Sequence, residues 1–532
     1  MAKKRKRYSK KSTPASIKTD SHPLKWLQTH KNTILLSIFL TYILSGTTHF
    51  STELSIIGDN AQFVVLGQSL AEGKGYKEIN RPNPSDHTKY PFGFPVLLAL
   101  FYHIFHLNYL GYKIIIFLFS IGTLYFLYRW FEGYSLIFLF SFLVMIALNL
   151  KILEYSSLIL SEGPFLFFVT LGFYLLDKFD KLKKYQYFIL GILSWGIAYY
   201  MRSIGIVLFL AFFLYLLLRK KYKLAIVWIF VTTIIITPWQ LWTSIHGGAS
   251  YFKALQMKNP YSPHLGKIGF SEIVTQRIPT NFKGYFLTFV PETIIPLFKA
   301  QKFALKNMLG GILTLSVLAG FIFDFWKKWD LKGWYFLGTI AVLLLWPEVW
   351  MGERFLFGII PLIIFYFIYC VHQLTKKLTS SERKLNSLFS KIIMVFIAIL
   401  IIMQLNFKNP QTQYTHDWIN YKKCAIWIKE NISSDATIVC RKPFLAYLWI
   451  GKKTTSIPAT SKKEEVYKRF INEGATHIIF DGFYWSSTTR RRLGPIIQKN
   501  QSDFPVVYAL RNPYTYVLEF KPATAIRDSI QQ

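Results

Sequence analysis

Cysteine is nearly absent from this chain, with three in 532 residues and no CxxC pair. That excludes a disulfide framework and a cysteine-built structural zinc site. Charge is scarce as well: 17% of residues are charged, against 52% hydrophobic and 18% aromatic, which is too apolar for the surface of an ordinary globular enzyme. Acid is the scarcest charge, 28 Asp and Glu facing 62 Lys and Arg for a net +34. Such an excess raises the question of nucleic acid, but the basic residues lie between apolar runs instead of along one soluble face. No nucleic-acid partner is therefore expected, and the positive-inside rule accounts for the same charges. No repeat of 20 to 50 residues is visible, which argues against an inverted-repeat transporter.

What is present is a series of eleven apolar runs, at about 32–50, 110–130, 134–150, 157–176, 185–200, 204–218, 224–241, 308–325, 334–346, 355–371 and 392–405. Residues 1–25 hold nine Lys or Arg and one Asp, and the first run starts too far along for a usual cleaved signal, so it reads as an uncleaved anchor. Alternate connections carry the basic charge: Arg129, Lys178 to Lys184, Arg219 to Lys223, Lys327 to Lys332, and Lys376 to Lys384. These share the side of the amino terminus, which makes that side cytoplasmic. The outer side then receives loop 51–108, the Glu154 region, the 201–203 turn, the long loop 243–306, the 348–354 turn and everything after Phe407. A twelfth span at 91–105 would invert every later loop, so that segment is expected as a partly embedded outer helix.

The expected organisation is a basic cytoplasmic segment (1–32), a polytopic α-helical membrane domain of about eleven transmembrane helices (33–407) and an exported α/β domain (408–532) in a cell inner (plasma) membrane protein. In the last of these, helical patterns at 417–431, 462–473 and 488–499 alternate with strand patterns at 436–440, 476–480 and 505–508. Gly474 is a plausible helix stop. Cys424 and Cys440 either form a bridge in this domain or are two buried thiols.

Few residues offer chemistry. Asp59, in Gly58-Asp59-Asn60, lies about nine residues beyond the first run, where a carboxylate reaches a bound headgroup or is simply solvated. Glu162 begins a span in a stretch with no other charge, so it either faces a polar cavity and a partner or serves a helix start before Pro164. Arg202, Arg354, Lys89 and His87 are placed on the same outer face, against the positive-inside trend. They suit phosphate, although lone arginines there also snorkel to headgroups. Arg490, Arg491 and Arg492 read as a solvated helix face or a contact to lipid or acidic glycan.

Several short motifs fall in a telling order: Gly58-Asp59-Asn60 with Leu70-Ala71-Glu72-Gly73-Lys74-Gly75-Tyr76, His87-Thr88-Lys89-Tyr90-Pro91-Phe92-Gly93-Phe94-Pro95, Leu160-Ser161-Glu162, Met201-Arg202-Ser203-Ile204-Gly205, and Arg354-Phe355 ahead of Pro361. Over about residues 33–405 the chain thereby resembles the C-type integral-membrane glycosyltransferases (GT-C), in the branch of protein O-mannosyltransferases and the lipid A aminoarabinose transferase. The resemblance implies a glycosyltransferase that takes a sugar from a polyprenyl-phosphate donor, with inversion, to a lipid, glycan or protein acceptor at the outer face of the membrane. It implies Asp59 as general base, Glu162 as a positioning acid, and Arg202, Arg354, Lys89 and His87 at the donor phosphate. Where such families show a double proline, this chain has Pro91-Phe92, and no DxD or second acid follows Asp59. No cofactor is therefore expected, and a divalent metal is not indicated. The rival reading is a multi-pass transporter or lipid flippase, which would need ionisable residues at mid-span depth, whereas nearly all charges here fall at span ends.

Overall fold

The computed structural model describes residues 22–56, 59–248, 251–261, 265–296, 304–409 and 414–523. The basic segment 1–21 and Gly58 lie outside the described residues. Away from water, a backbone without partners has to satisfy its own N–H and C=O groups, and each of the eleven apolar runs is helical over most of its length. Five of these helices are long and apolar enough to cross a membrane: Tyr109–Phe131, Tyr222–Ile245, Lys306–Lys328, Glu353–Leu378 and Glu382–Leu405. Their outward faces keep large apolar side chains exposed, such as Ile226 and Phe230, as a multi-pass membrane protein requires. Inside the bundle, small residues let backbones approach: a Cβ on Gly320 would lie 1.8 Å from the Tyr366 carbonyl oxygen.

Three segments differ from the reading of the sequence. The run at 134–150 is a bent pair, Leu136–Ala147 and Leu150–Ser156, meeting at 52°. Asn149 makes the bend, because its Oδ1 accepts from the Ile152 N–H at 3.0 Å and its Nδ2 donates to the Thr293 carbonyl at 2.7 Å. The run at 157–176 becomes helical only at Glu162; before it, Leu158, Ile159 and Leu160 form a fully buried apolar knot. Finally, the long loop 243–306 contains helical turns from Phe270 to Ile294, two of them π-type. Their buried stripe is Arg277, Asn281 and Tyr285, polar residues at fourfold spacing that an apolar period does not reveal.

The C-terminal domain is α/β, as its alternating patterns indicate, around a five-stranded sheet ordered β2-β1-β3-β5-β4. Its strands are β1 (Thr437–Cys440), β2 (Lys453–Ser456), β3 (Ala475–Phe480), β4 (Val506–Leu510) and β5 (Thr515–Glu519). The first three are parallel and β5 is antiparallel to both β3 and β4. Gly474 ends its helix at φ +63°, as expected of a left-handed stop. Strands β2 and β5 and the helix Pro443–Ile450 had no expected counterpart. Cys424 and Cys440 are buried free thiols, not a bridge.

This domain is fastened to the first loop. Thr454 N–H donates to the Asn80 carbonyl at 2.7 Å and Lys453 Nζ to that of Ile79 at 2.8 Å. Lys422 pairs with Glu53 at 2.9 Å, and Asn409 Nδ2 donates to the His49 carbonyl at 2.9 Å.

Candidate active site

Asp59 precedes the helix Asn60–Ala71, whose buried side, including Phe63, Leu66 and Gly67, packs on the helix Gly93–Phe105. That packing sets the carboxylate at the end of the bundle that carries the C-terminal domain. Glu162 arrives from another direction, sunk to zero exposure behind the 158–160 knot. A carboxylate so placed requires cations, and it has two. Arg202, at the extended residue that ends the helix Tyr185–Met201, pairs through Nη1 with Glu162 Oε1. Arg354, on the 3-10 turn Glu353–Ile359, pairs through Nε with the same oxygen.

Arg354 also donates from Nη1 to Asp59 Oδ2 at 2.8 Å. One guanidinium thus ties together Asp59 and Glu162, which are 103 positions apart, using the fixed fork that lysine lacks. The turn bearing Arg354 is itself held by Lys151, buried, which contacts Glu353 at 3.0 Å and Glu154 at 3.4 Å. Partner-finding therefore describes Glu162 better than helix capping; Ser161 is the N-cap and makes no side-chain cap bond.

A cavity of about 710 Å³ opens beside these groups. Asp59, Lys89, Arg202, Arg354 and Lys442 face it, with Tyr261, Trp346 and Trp350 among its aromatic walls. Lys89 lies over the Tyr90 ring, 4.5 Å from its centroid. Burial would raise the Asp59 carboxyl, but the charges of Arg354 and Lys89 and hydrogen bonds from Arg354 and Tyr90 outweigh it and bring the pKa down to about 2. Burial pulls the Lys89 ammonium below its ordinary value, with Asp59 opposing.

His87 stands apart. Its Nε2 accepts from the Tyr90 N–H at 3.1 Å, which leaves the ring proton on Nδ1 to donate to Glu78 Oε1 at 3.0 Å. Both ring nitrogens are spent on shaping the loop, and the residue does not face the cavity. Arg277, by contrast, has a part that no sequence motif marks: it donates to the carbonyls of Leu255 and Met257, both at 2.6 Å, and so fixes the 254–261 segment that walls the cavity. Lys442, from the C-terminal domain, is the other unmarked residue. Among the described residues no three His, Cys, Asp or Glu gather in a way that would hold a metal ion.

No family model matches the sequence, and no curated protein matches it. Solved structures do. The oligosaccharyltransferase AglB of Archaeoglobus fulgidus, in complex with an inhibitory peptide and a dolichol-phosphate, aligns over 85% of this chain and 70% of its own at 12% identity and a TM-score of 0.54. The same enzyme tethered to an acceptor peptide aligns over 94% and 75%, at 12% identity and a TM-score of 0.58. ArnT of Cupriavidus metallidurans in the apo state aligns over 94% of this chain and 98% of its own, at 11% identity and a TM-score of 0.55. With undecaprenyl phosphate bound, ArnT aligns over 93% and 98%, at 11% identity and a TM-score of 0.51. The chain therefore has the GT-C fold that its ordered motifs pointed to.

Proposed function

We propose that this chain is a glycosyltransferase that moves a sugar from a polyprenyl-phosphate carrier to a lipid, glycan or protein acceptor at the extracytoplasmic face. One observation carries the reading: Asp59 and Glu162 converge on Arg354, with Arg202 and Lys89, beside a single cavity. Four cations, Lys89, Arg202, Arg354 and Lys442, meet two carboxylates there, a surplus suited to a phosphate. Two of the solved relatives hold dolichol-phosphate and undecaprenyl phosphate. The apolar wall given by Leu343, Val349 and Met351 offers the start of a prenyl chain a dry path.

In the proposed reaction the acceptor oxygen or nitrogen attacks the anomeric carbon from the side opposite the phosphate. Its proton passes to the Asp59 carboxylate, and the bond from the anomeric carbon to the phosphate oxygen breaks with inversion. The electron pair leaves on the polyprenyl phosphate, whose growing charge Lys89 and Arg354 neutralise. With a pKa near 2, Asp59 is a poor base while Arg354 holds it. A phosphate that draws the guanidinium toward itself releases the carboxylate, so donor binding primes the base. Glu162 keeps Arg354 and Arg202 in place during that exchange.

The test is to compare glycan products in cells carrying the wild-type chain, Asp59→Asn or Arg202→Ala at matched membrane levels. A glycan or glycolipid that disappears with both variants supports transfer and names the acceptor. Unchanged products with Asp59→Asn remove the proposed base and favour the transporter reading.

A further inference from the structure

The C-terminal domain holds a second feature that the transfer step does not use. Strands β1 and β3 are parallel neighbours whose following connections leave in opposite directions, one to β2 and the other, through the helix Thr488–Lys499, to β4. The crevice above such a switch point is where open α/β sheets bind ligands. Here it is built from Arg441 and Lys442, just past β1, and the Asp481 to Trp485 segment, just past β3.

The chemistry of that crevice is specific. Trp485 stacks on Trp418 at 6.2 Å between centroids, with Arg441 5.2 Å and Lys442 5.0 Å from its ring. Trp485 nevertheless stays 48% exposed and Tyr484 66%. No carboxylate pairs with Arg441 or Lys442 among the described residues, and the buried Nε of Arg441 has no hydrogen-bond partner. Of the nearby acids, Asp481 accepts from Thr489 through Oδ2 and feels the charge of Arg441 without a direct ion pair, and Asp417 accepts from the Tyr484 N–H at 3.0 Å, which pins the aromatic loop. Burial, with Arg441 adding and Asp59 opposing, lowers the Lys442 ammonium below its usual value. Two neighbouring cations beside a half-exposed indole, which Phe483 backs at 5.1 Å, are the complement of a sugar ring that carries negative charge: the ring's C–H face lies on the exposed part of the indole, and the anion meets the cations. Lys442 also lines the cavity of Asp59, so this cation is common to the crevice and the cavity.

From this we infer that the switch-point crevice of the C-terminal domain is a binding subsite for an anionic glycan, and that this glycan is the acceptor presented to Asp59. The assignment of the glycan as acceptor rests on the transferase reading; the subsite itself does not. Both carboxylated and phosphorylated sugars present the required charge.

The test is direct binding to the full-length protein in zwitterionic-lipid nanodiscs, by calorimetry. The probes are tetragalacturonate, a mannose-6-phosphate-terminated oligosaccharide and neutral cellotetraose. At least one anionic probe binds ten-fold or more tighter than cellotetraose, and which one does so identifies the anion. Trp485→Ala, at a half-exposed position, and Lys442→Gln each weaken that binding about ten-fold or more, while Trp485→Phe restores most of it. Equal binding of neutral and anionic probes, or binding untouched by Trp485→Ala, overturns the subsite, and so does binding only to anionic-lipid vesicles. A protein that binds the glycan yet transfers no sugar overturns the transferase reading and leaves the subsite standing.

Discussion

Arg354 Nη1 lies 2.8 Å from Asp59 Oδ2, so the proposed base and the proposed phosphate ligand are already bound to each other. This contact makes the pH dependence of the reaction unusual. The Asp59 carboxyl is depressed to about 2 from an unfolded value near 4, so the stability it contributes is present above about pH 4 and lost as pH falls toward 2. In kinetics, kcat/KM reports the free enzyme, and its acid limb from Asp59 should fall below about pH 4. If the donor phosphate draws Arg354 away, kcat, which reports the bound complex, shows its acid limb at higher pH. Coincident acid limbs in the kcat/KM and kcat profiles would rule out this exchange.

Removing the base isolates its role. Asp59→Asn keeps the size of the side chain and should lower transfer by about 100-fold or more without lowering donor affinity, since positioning remains. Donor binding measured by calorimetry alongside turnover separates the two effects; a parallel loss of both would assign Asp59 to binding instead.

Arg354 has a structural cost as well. Arg354→Ala leaves Glu162, fully buried, with Arg202 alone, and should destabilise the protein by about 3 kcal/mol. Thermal unfolding in detergent measures this. Arg354→Lys does not restore activity, because one ammonium does not span both acids in the same geometry.

His87 and Lys89 should separate although they are two residues apart. His87→Ala takes a partner from Glu78 Oε1 and from the Tyr90 N–H, leaving Glu78 with Arg81, and costs about 1–3 kcal/mol of stability, with the donor KM unchanged. Lys89→Gln leaves stability nearly unaltered and raises the donor KM about ten-fold. A donor KM that rises with His87→Ala would return that histidine to the phosphate site.

Chelation offers a further check. Lys89, Arg202, Arg354 and Lys442 surround Asp59 with positive charge, which disfavours a divalent cation at that carboxylate. Transfer should therefore persist in EDTA, and activity restored by added Mg²⁺ or Mn²⁺ would contradict it.

How much of this was legible depended on the kind of residue. Glu162, Arg202 and Arg354 stand out in the sequence because each is a charge at the end of an apolar run, Asp59 because it follows one by about nine residues, and the structure brings all four together. The runs themselves follow from hydrophobicity. The Arg277, Asn281 and Tyr285 stripe escaped because its periodic residues are polar, although it supports the cavity wall. The bend at Asn149 escaped because it falls at the very end of the expected run, and the helix after it, Leu150–Ser156, carries Lys151 and Glu154. His87 looked like a ligand because a histidine beside a lysine cannot reveal which way its ring turns. Lys442 lies about 380 residues from Asp59, and nothing local marks a lysine in a basic chain as the one that reaches the cavity. The short strands β2 and β5 were missed for want of length: four or five residues carry too little pattern to distinguish from a loop.

The hydrogen bond from Thr454 to Asn80 has a consequence for how these molecules live beside one another. Strand β2 is an outer strand of its sheet, and unpaired strand borders are adhesive toward foreign chains. Here the chain seals that border with its own loop. The same seal ties the C-terminal domain to the loop that follows Asp59, so the one contact that closes the sheet border also holds the two parts of the chain together.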